Sequence, residues 1–199
     1  MIEAVAVVLA AGAGKRMGGN AKAALLLPDG RTFVAAVADS ARAGGCRRVV
    51  VVVGRPHGIE TRTAALAAGI TEIIENPDPD RGMTSSLAVA LDYLDPHAVD
   101  VALVWPVDHA RVRASTVADL LRASDRHLIV VPTSPGGRGG HPTAFGASLW
   151  PELRDAAVLP EGARAVLRAD RSRVVRVTAS DPGAFFDIDT PDDLRKVQK

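Results

Sequence analysis

Lysine is nearly missing from this chain: of 24 basic residues only Lys15, Lys22, Lys196 and Lys199 are lysines, and arginine supplies the rest. Two of those four therefore stand out by sharing one early loop. Cysteine is scarcer still. The single Cys46 excludes an internal disulfide and suits a reducing compartment. A net charge of +1 leaves no basic tract for nucleic acid and no basic face for an anionic membrane. No apolar run reaches the length of a bilayer span, and the stretch Val5 to Ala11 lacks the basic leader of a cleavable signal. A cytoplasmic location, with neither membrane nor nucleic-acid partner, is the expectation. There is no internal repeat and no long linker, so one domain over residues 1–199 is expected. What the chain does have is 47% hydrophobic and 24% charged residues, enough to bury an ordinary globular core at this length.

Periodicity then orders the chain. The segment Ile2 to Leu9 is a continuous apolar run ending in Ala10-Ala11-Gly12-Ala13-Gly14, the pattern of a buried strand feeding a glycine loop. A helix is predicted over Thr32 to Ala43, closed by Gly44-Gly45. Arg48 to Gly54, with Val49 to Val53 unbroken, predicts a strand covered on both faces, parallel and central. A helix (Gly58 to Ala68), a strand (Ile70 to Glu75) and a helix (Ser85 to Leu94) follow. Next come a strand (Val99 to Val107), a helix (Ser115 to Ser124) and a strand (Leu128 to Pro132). Pro135 to Pro142 is a glycine-rich loop, followed by two short helices, a strand (Val174 to Thr178) and a last helix. That helix has Thr190 as N-cap, Pro191 at its first position, and Asp192 and Asp193 in its first turn. Strands alternating with helices predict a three-layer α/β fold on a mainly parallel sheet. Trp105 and Trp150 read as core residues.

Glycines followed by Lys15, Arg16 and Lys22 suit a polyphosphate: glycine turns backbone N–H groups toward an anion and the cations neutralise it. The loop is not a Walker loop, because Leu9 stands where the first glycine belongs and Arg16 where Ser or Thr is required. Nor is it a dinucleotide fingerprint: Met17 replaces the third glycine, and Gly54-Arg55 ends the second strand where an acid is expected. His57, His97, His109 and His127 are scattered without zinc-ligand spacing.

Leu9-Ala10-Ala11-Gly12, Gly14, Arg16-Met17-Gly18 and Lys22 resemble the signature of the NTP-transferase family that includes the molybdenum-cofactor cytidylyl- and guanylyltransferases. The resemblance runs the length of the chain. Asn76-Pro77, Gly82-Met83 and Ser85-Ser86-Leu87 are similar to the family's second motif, and Pro106-Val107-Asp108 to its metal-aspartate motif. Gly139-Gly140-His141-Pro142 is similar to its acceptor loop, and Asp187 to Leu194 to its C-terminal motif. The resemblance implies a Rossmann-like sheet with one antiparallel strand. It also implies an NTP held by Leu9 to Gly12, Gly14, Lys15, Arg16 and Lys22, with Asn76, Ser85 and Ser86 beside it. Arg16 would contact the phosphates and Lys22 the transferring group. Asp108 would hold Mg²⁺ together with Asp189, or with Asp187 as the alternative, and Gly140, His141 and Arg164 would face the acceptor. Ser85 and Ser86 equally suit helix capping, and Asp189 a simple helix-start acid.

Magnesium takes hard oxygen ligands, and nucleotidyl transfer needs positioning and charge neutralisation at the α-phosphorus. A phosphate acceptor is already ionised at neutral pH, so no general base is required. Three positions depart from the pattern: Pro79 replaces an aromatic, Ala110 a proline, and Leu159-Pro160-Glu161 precede Gly162-Ala163-Arg164 where a Gly-Asp pair is usual. They leave the nucleotide half intact and open the identity of the acceptor. The expectation is CMP transfer from CTP to a phosphorylated acceptor such as molybdopterin. The alternatives are a sugar- or polyol-phosphate acceptor and a non-catalytic nucleotide-binding module. No residue pattern speaks to a molybdoenzyme or chaperone partner.

The base preference is testable at once. Ala11 follows the cytidylyl branch of the resembling family, whose guanylyl branch has glycine there, and a methyl group takes room a purine would need. CTP should bind more tightly than GTP in the presence of Mg²⁺, as measured by calorimetry; equal or tighter GTP binding removes the assignment.

Overall fold

The computed structural model describes residues 2–197 and contains a seven-stranded sheet in the order β3-β2-β1-β4-β6-β5-β7. The strands are β1 (Ala4–Leu9), β2 (Arg48–Val53), β3 (Glu72–Glu75), β4 (Val101–Pro106), β5 (Ile129–Thr133), β6 (Thr143–Gly146) and β7 (Val174–Thr178). All neighbours are parallel except β6, which runs antiparallel to both β4 and β5. The helices are α1 (Phe33–Ala43), α2 (Gly58–Ala67), α3 (Met83–Tyr93), α4 (Ala114–Arg122), α5 (Trp150–Asp155), α6 (Ala163–Ala169) and α7 (Pro191–Val197).

The unbroken valines of β1 and β2 follow from burial on both sides. Ala4, Ala6 and Val8 join Val49, Val51, Phe33 and Trp105 in one core layer, while Val5, Val7 and Leu9 join Val50, Val52, Leu91 and Trp150 in the other. Alternate side chains of a strand point to opposite faces, so a strand covered twice has no polar face to show. Both tryptophans are fully buried. β2 is parallel on both sides as expected but lies one strand in from the edge, with β3 outside it. At α7, Thr190 Oγ1 accepts from Asp193 N (3.2 Å) and Asp193 Oδ2 accepts from Thr190 N (3.1 Å), a reciprocal capping box.

One strand was not legible. The sequence reading runs from the 135–142 loop directly into two short helices, yet Thr143–Gly146 forms β6. The four residues Thr143 to Gly146 carry no periodicity to detect. They form a strand because β4 and β5 both offer unpaired edges there, and all four are buried. β6 is the antiparallel strand that the family resemblance implied without locating.

The topology fixes where a ligand goes. From β1 the chain builds outward through β2 and β3, then crosses back to β4 on the other side of β1. This reversal opens a crevice at the carboxyl ends of β1 and β4, where Leu9 is in register with Pro106. The segment between β7 and α7 closes back over that edge. Ala179 N donates to Thr133 O (2.9 Å), His141 N to Ala184 O (2.8 Å), and Ile188 N to Asp108 O (3.0 Å).

Asp181 pins this strap. Its buried carboxylate accepts from Arg113 N (2.8 Å), Thr116 Oγ1 (2.8 Å) and Gly183 N (3.0 Å). Asp181→Ala strands those donors and should destabilise the fold by about 3 kcal/mol, with Asp181→Asn, which keeps one acceptor oxygen, costing less. Urea unfolding of both variants checks the order.

Candidate active site

The glycine loop is shaped by a close approach. Gly14 has φ 60°, and a Cβ there would lie 2.1 Å from the Asn20 carbonyl oxygen, so no side chain is admitted. Met17 N and Gly19 N both donate to Gly14 O, at 2.8 and 3.1 Å, while the buried Met17 anchors the turn from below. Lys15 and Arg16 are left exposed on its rim. Lys22 opens a short 3-10 turn whose buried Ala23 directs the chain back to the sheet edge.

Three distant segments meet at the Lys22 ammonium. Its Nζ donates to Asp108 Oδ2 at 2.8 Å and also to Asp189 Oδ1, and Arg16 Nη2 lies 2.7 Å from Asp189 Oδ2. The side chains of Lys22, Asp108 and Asp189 are 17%, 20% and 10% exposed, against 71% for Arg16. Burial alone would lower the Lys22 pKa, but the charges and hydrogen bonds of Asp108 and Asp189 outweigh it and raise the pKa above that of a free lysine. Burial would likewise raise Asp189, yet Lys22 and Arg16 hold its carboxyl below the usual carboxylate range. Two carboxylates converging on one cation are hard oxygen donors aimed at a common point, a fit for a divalent metal. Asp187 is exposed next to Asp189.

Two cavities lie along this sheet edge, and the smaller reaches Lys22 and Asp108. The smaller, about 310 Å³, is lined by Leu9 to Gly12 and Gly14 to Arg16 together with Lys22, Ser86 and Asp108. Most residues assigned to the nucleotide therefore share one concavity. Asn76 and Ser85 do not line it. Asn76 Nδ2 donates to Ser85 Oγ and Ser86 Oγ, both at 2.9 Å, and all three are buried, so the motif brackets the start of α3 beneath the cavity. The larger cavity, about 580 Å³, takes Gly140, His141 and Arg164 and has apolar walls from Leu87, Val104, Phe145 and Leu167. Leu9, Met83 and Pro106 belong to both.

The second cavity and its surroundings also hold residues with no motif to mark them. A Cβ at Gly140 would lie 2.3 Å from Ala184 O, so this glycine lets the strap pass. His109, read as one of the scattered histidines, packs its ring against His141 with centroids 4.9 Å apart. His109 Nδ1 is 3.3 Å from Gly183 O, and Trp105 Nε1 donates to His109 O at 3.0 Å. Burial, with His109 and Arg164 adding to it against Asp108, pushes the His141 pKa down to about 4. Its Nδ1 has no hydrogen-bond partner among the described residues. Thr84, Glu161 and Arg168 complete the rim. Glu161 stood out only as a departure from the family's pattern, and no motif marked Thr84 or Arg168.

Comparison with known proteins follows from this geometry. A family model described as MobA-like NTP transferase domain matches residues 6–175. The chain is 34% identical over 198 residues to nicotine blue oxidoreductase of Paenarthrobacter nicotinovorans, covering 96% of this chain and 94% of that protein. Among solved structures, Rv0371c of Mycobacterium tuberculosis H37Rv has a TM-score of 0.79 at 25% identity, covering 98% of each chain. A manganese complex of that mycobacterial protein has a TM-score of 0.69 at 25% identity, covering 99% of this chain and 98% of that one. A nucleotidyl transferase from Methanothermobacter shares the fold with a TM-score of 0.82 at 23% identity, covering 98% and 96%.

The state of His141 has a consequence for stability. In the unfolded chain its imidazole takes up a proton at the ordinary value of 6.5, in the folded protein only near 4. Between those values the unfolded state binds more protons, so acidification through this window favours unfolding. Urea midpoints at pH 7 and pH 5 should therefore differ less in His141→Gln than in the parent protein; an equal difference in both contradicts the neutral, buried imidazole.

Proposed function

The chain belongs to the MobA-like NTP transferase family, and on that premise we propose that it transfers CMP from CTP to a phosphorylated small molecule such as molybdopterin, with Mg²⁺ and release of pyrophosphate. The observation that carries the reading is the Lys22–Asp108–Asp189 cluster, whose Lys22 and Asp108 line the smaller cavity close to Pro106, one of the residues it has in common with the larger. A concavity of glycines and cations thus adjoins a roomier apolar one at Leu9, Met83 and Pro106, two residues before Asp108. That is where the α-phosphorus of a nucleotide would face an acceptor.

In this reading the N–H groups and side chains of the 10–16 loop hold the triphosphate, and the Arg16 guanidinium forks onto phosphate oxygens. Lys22 neutralises charge on the transferring group as the bond to pyrophosphate lengthens. Asp108 and Asp189 would hold the divalent metal, whose chemistry is to neutralise phosphate charge during displacement. An acceptor phosphate oxygen attacks the α-phosphorus, its new P–O bond forms as the bond to the β-phosphate breaks, and pyrophosphate leaves. The acceptor is already ionised, so no side chain has to remove a proton. His141, neutral above about pH 4, contributes a polar wall rather than a base. Pyrophosphate release from each NTP against a panel of phosphomonoesters, with and without Mg²⁺, tests the assignment.

A second reading has its own support: nicotine blue oxidoreductase is 34% identical to this chain over nearly its full length. The apolar walls of the larger cavity suit a planar heteroaromatic. Oxidoreduction, however, gives no role to paired carboxylates on a lysine. Bleaching of nicotine blue by the purified protein with NADH or NADPH, under anaerobic conditions, decides for this reading; its absence together with pyrophosphate release decides for transfer.

The transferase reading separates the roles of three residues. Arg16→Lys should chiefly raise KM for the nucleotide. Lys22→Ala should lower kcat more than it raises KM, and a kcat within about threefold of the parent, less than about 1 kcal/mol, removes its role. Asp108→Asn should abolish transfer at every pH and Mg²⁺ concentration. The acidic limb of the kcat/KM profile, set by the acceptor phosphate near pH 6, should survive in His141→Gln. Loss of that limb overturns the base-free mechanism.

A further inference from the structure

Against the acceptor side lies a third concavity of about 450 Å³, lined by Arg164, Leu167, Arg168, Arg171, Val174 and Arg176. It has Arg164, Leu167 and Arg168 in common with the 580 Å³ cavity, so the two adjoin across α6. The spacing 164, 167, 168 puts those side chains on one face of α6, and Arg171 opens a separate 3-10 turn, Arg171–Arg173, after the extended Asp170 ends the helix. Arg176 comes from β7, the edge strand of the sheet.

The charges in this groove are unbalanced. Arg168 has a partner, Glu161, at 2.5 Å. Arg164, Arg171 and Arg176 make no side-chain hydrogen bond or ion pair among the described residues. An ordinary solvated basic face would intersperse acids, and this region does have them. They are taken by other arginines: Glu152 and Asp170 bind Arg173, and Asp92 binds Arg154. Guanidinium groups without counter-ions, gathered in a concavity over two apolar side chains, repel one another unless an anion joins them. The planar fork of arginine matches a phosphate's oxygens, and several forks on one point call for a dianion rather than a single carboxylate.

We propose that this groove is a distal phosphate site for the acceptor. Building on the transferase reading, this narrows the acceptor to a small molecule with two phosphate groups, rather than one with a single phosphate such as molybdopterin: one phosphate reacts beside Lys22 and the other is held by Arg171 and Arg176, with Arg168 beside them. The body between them fills the apolar cavity. The departure at Leu159-Pro160-Glu161 belongs to the same rim, since Pro160 and Glu161 line the cavity and Glu161 holds Arg168 in position.

Inorganic phosphate is the probe, titrated into the whole protein while the Nε–H resonances of its arginines are followed by NMR. Phosphate should shift the Arg171 and Arg176 signals along a saturable curve, with acetate at equal ionic strength leaving them in place. Arg176→Gln, at an exposed position, should weaken the phosphate curve read at Arg171 by about tenfold or more, with an unchanged thermal midpoint. Signals that do not saturate, an equal response to acetate, or an unaltered curve in Arg176→Gln each overturn the proposal. Pyrophosphate release reads the transferase assignment separately. If it fails while the titration succeeds, the transferase reading falls and the phosphate groove stands; the opposite pattern removes the groove alone.

Discussion

The ammonium of Lys22 is the point on which the rest of the structure is organised. Its two carboxylate partners lie 86 and 167 residues away along the chain, so the fold has to bring three remote segments to one spot. β1 and β4 do this for Lys22 and Asp108 by lying side by side and parallel, which puts the loops after both strands on one edge. Asp189 arrives by another route, carried on the segment that returns from β7. With Arg16 added, two cations face Asp108 and Asp189, and Asp187 adds a side-chain hydrogen bond to Asp189. This pairing permits the burial: an unpaired carboxylate at the depth of Asp189 would carry an uncompensated desolvation cost.

The strap between β7 and α7 couples this cluster to the neighbouring cavity. Asp181 ties its start to the N-terminus of α4, Ala184 O receives His141 N beside Gly140, and Ile188 N closes onto Asp108 O. A displacement of the strap would therefore move Asp189 and the wall of the larger cavity together. The packing is tight enough to enforce the coupling, because neither Gly140 nor Gly183 has room for a Cβ beneath the backbone that crosses it.

The two cavities differ in kind, and the difference has a physical origin. The smaller is built from a glycine loop and cations on a sheet edge, a surface made of backbone donors and charge. The larger is walled by side chains of α3, α6 and β6, elements that pack mainly through apolar contacts.

The sequence by itself determined the layered α/β architecture and most of its elements, because strands buried on both faces must be continuously apolar and helix starts must carry their caps. Val49 to Val53 and Thr190-Pro191 were legible for those local reasons. It also marked the loop with Gly14, Arg16 and Lys22, since phosphate-binding chemistry draws on few residue types, whereas Asp108 and Asp189 stood out only through the resemblance to a family. Tertiary structure alone decided the rest. β6 exists because two neighbouring strands offer it partners, not because Thr143 to Gly146 has a pattern of its own. Asn76 bonds two serines beneath the cavity, and His109 meets His141, through approaches between elements that no spacing encodes. The same holds for the arginines of α6 and β7: their convergence on one groove depends on how a helix lies against a sheet edge, a long-range packing outcome that local sequence does not specify.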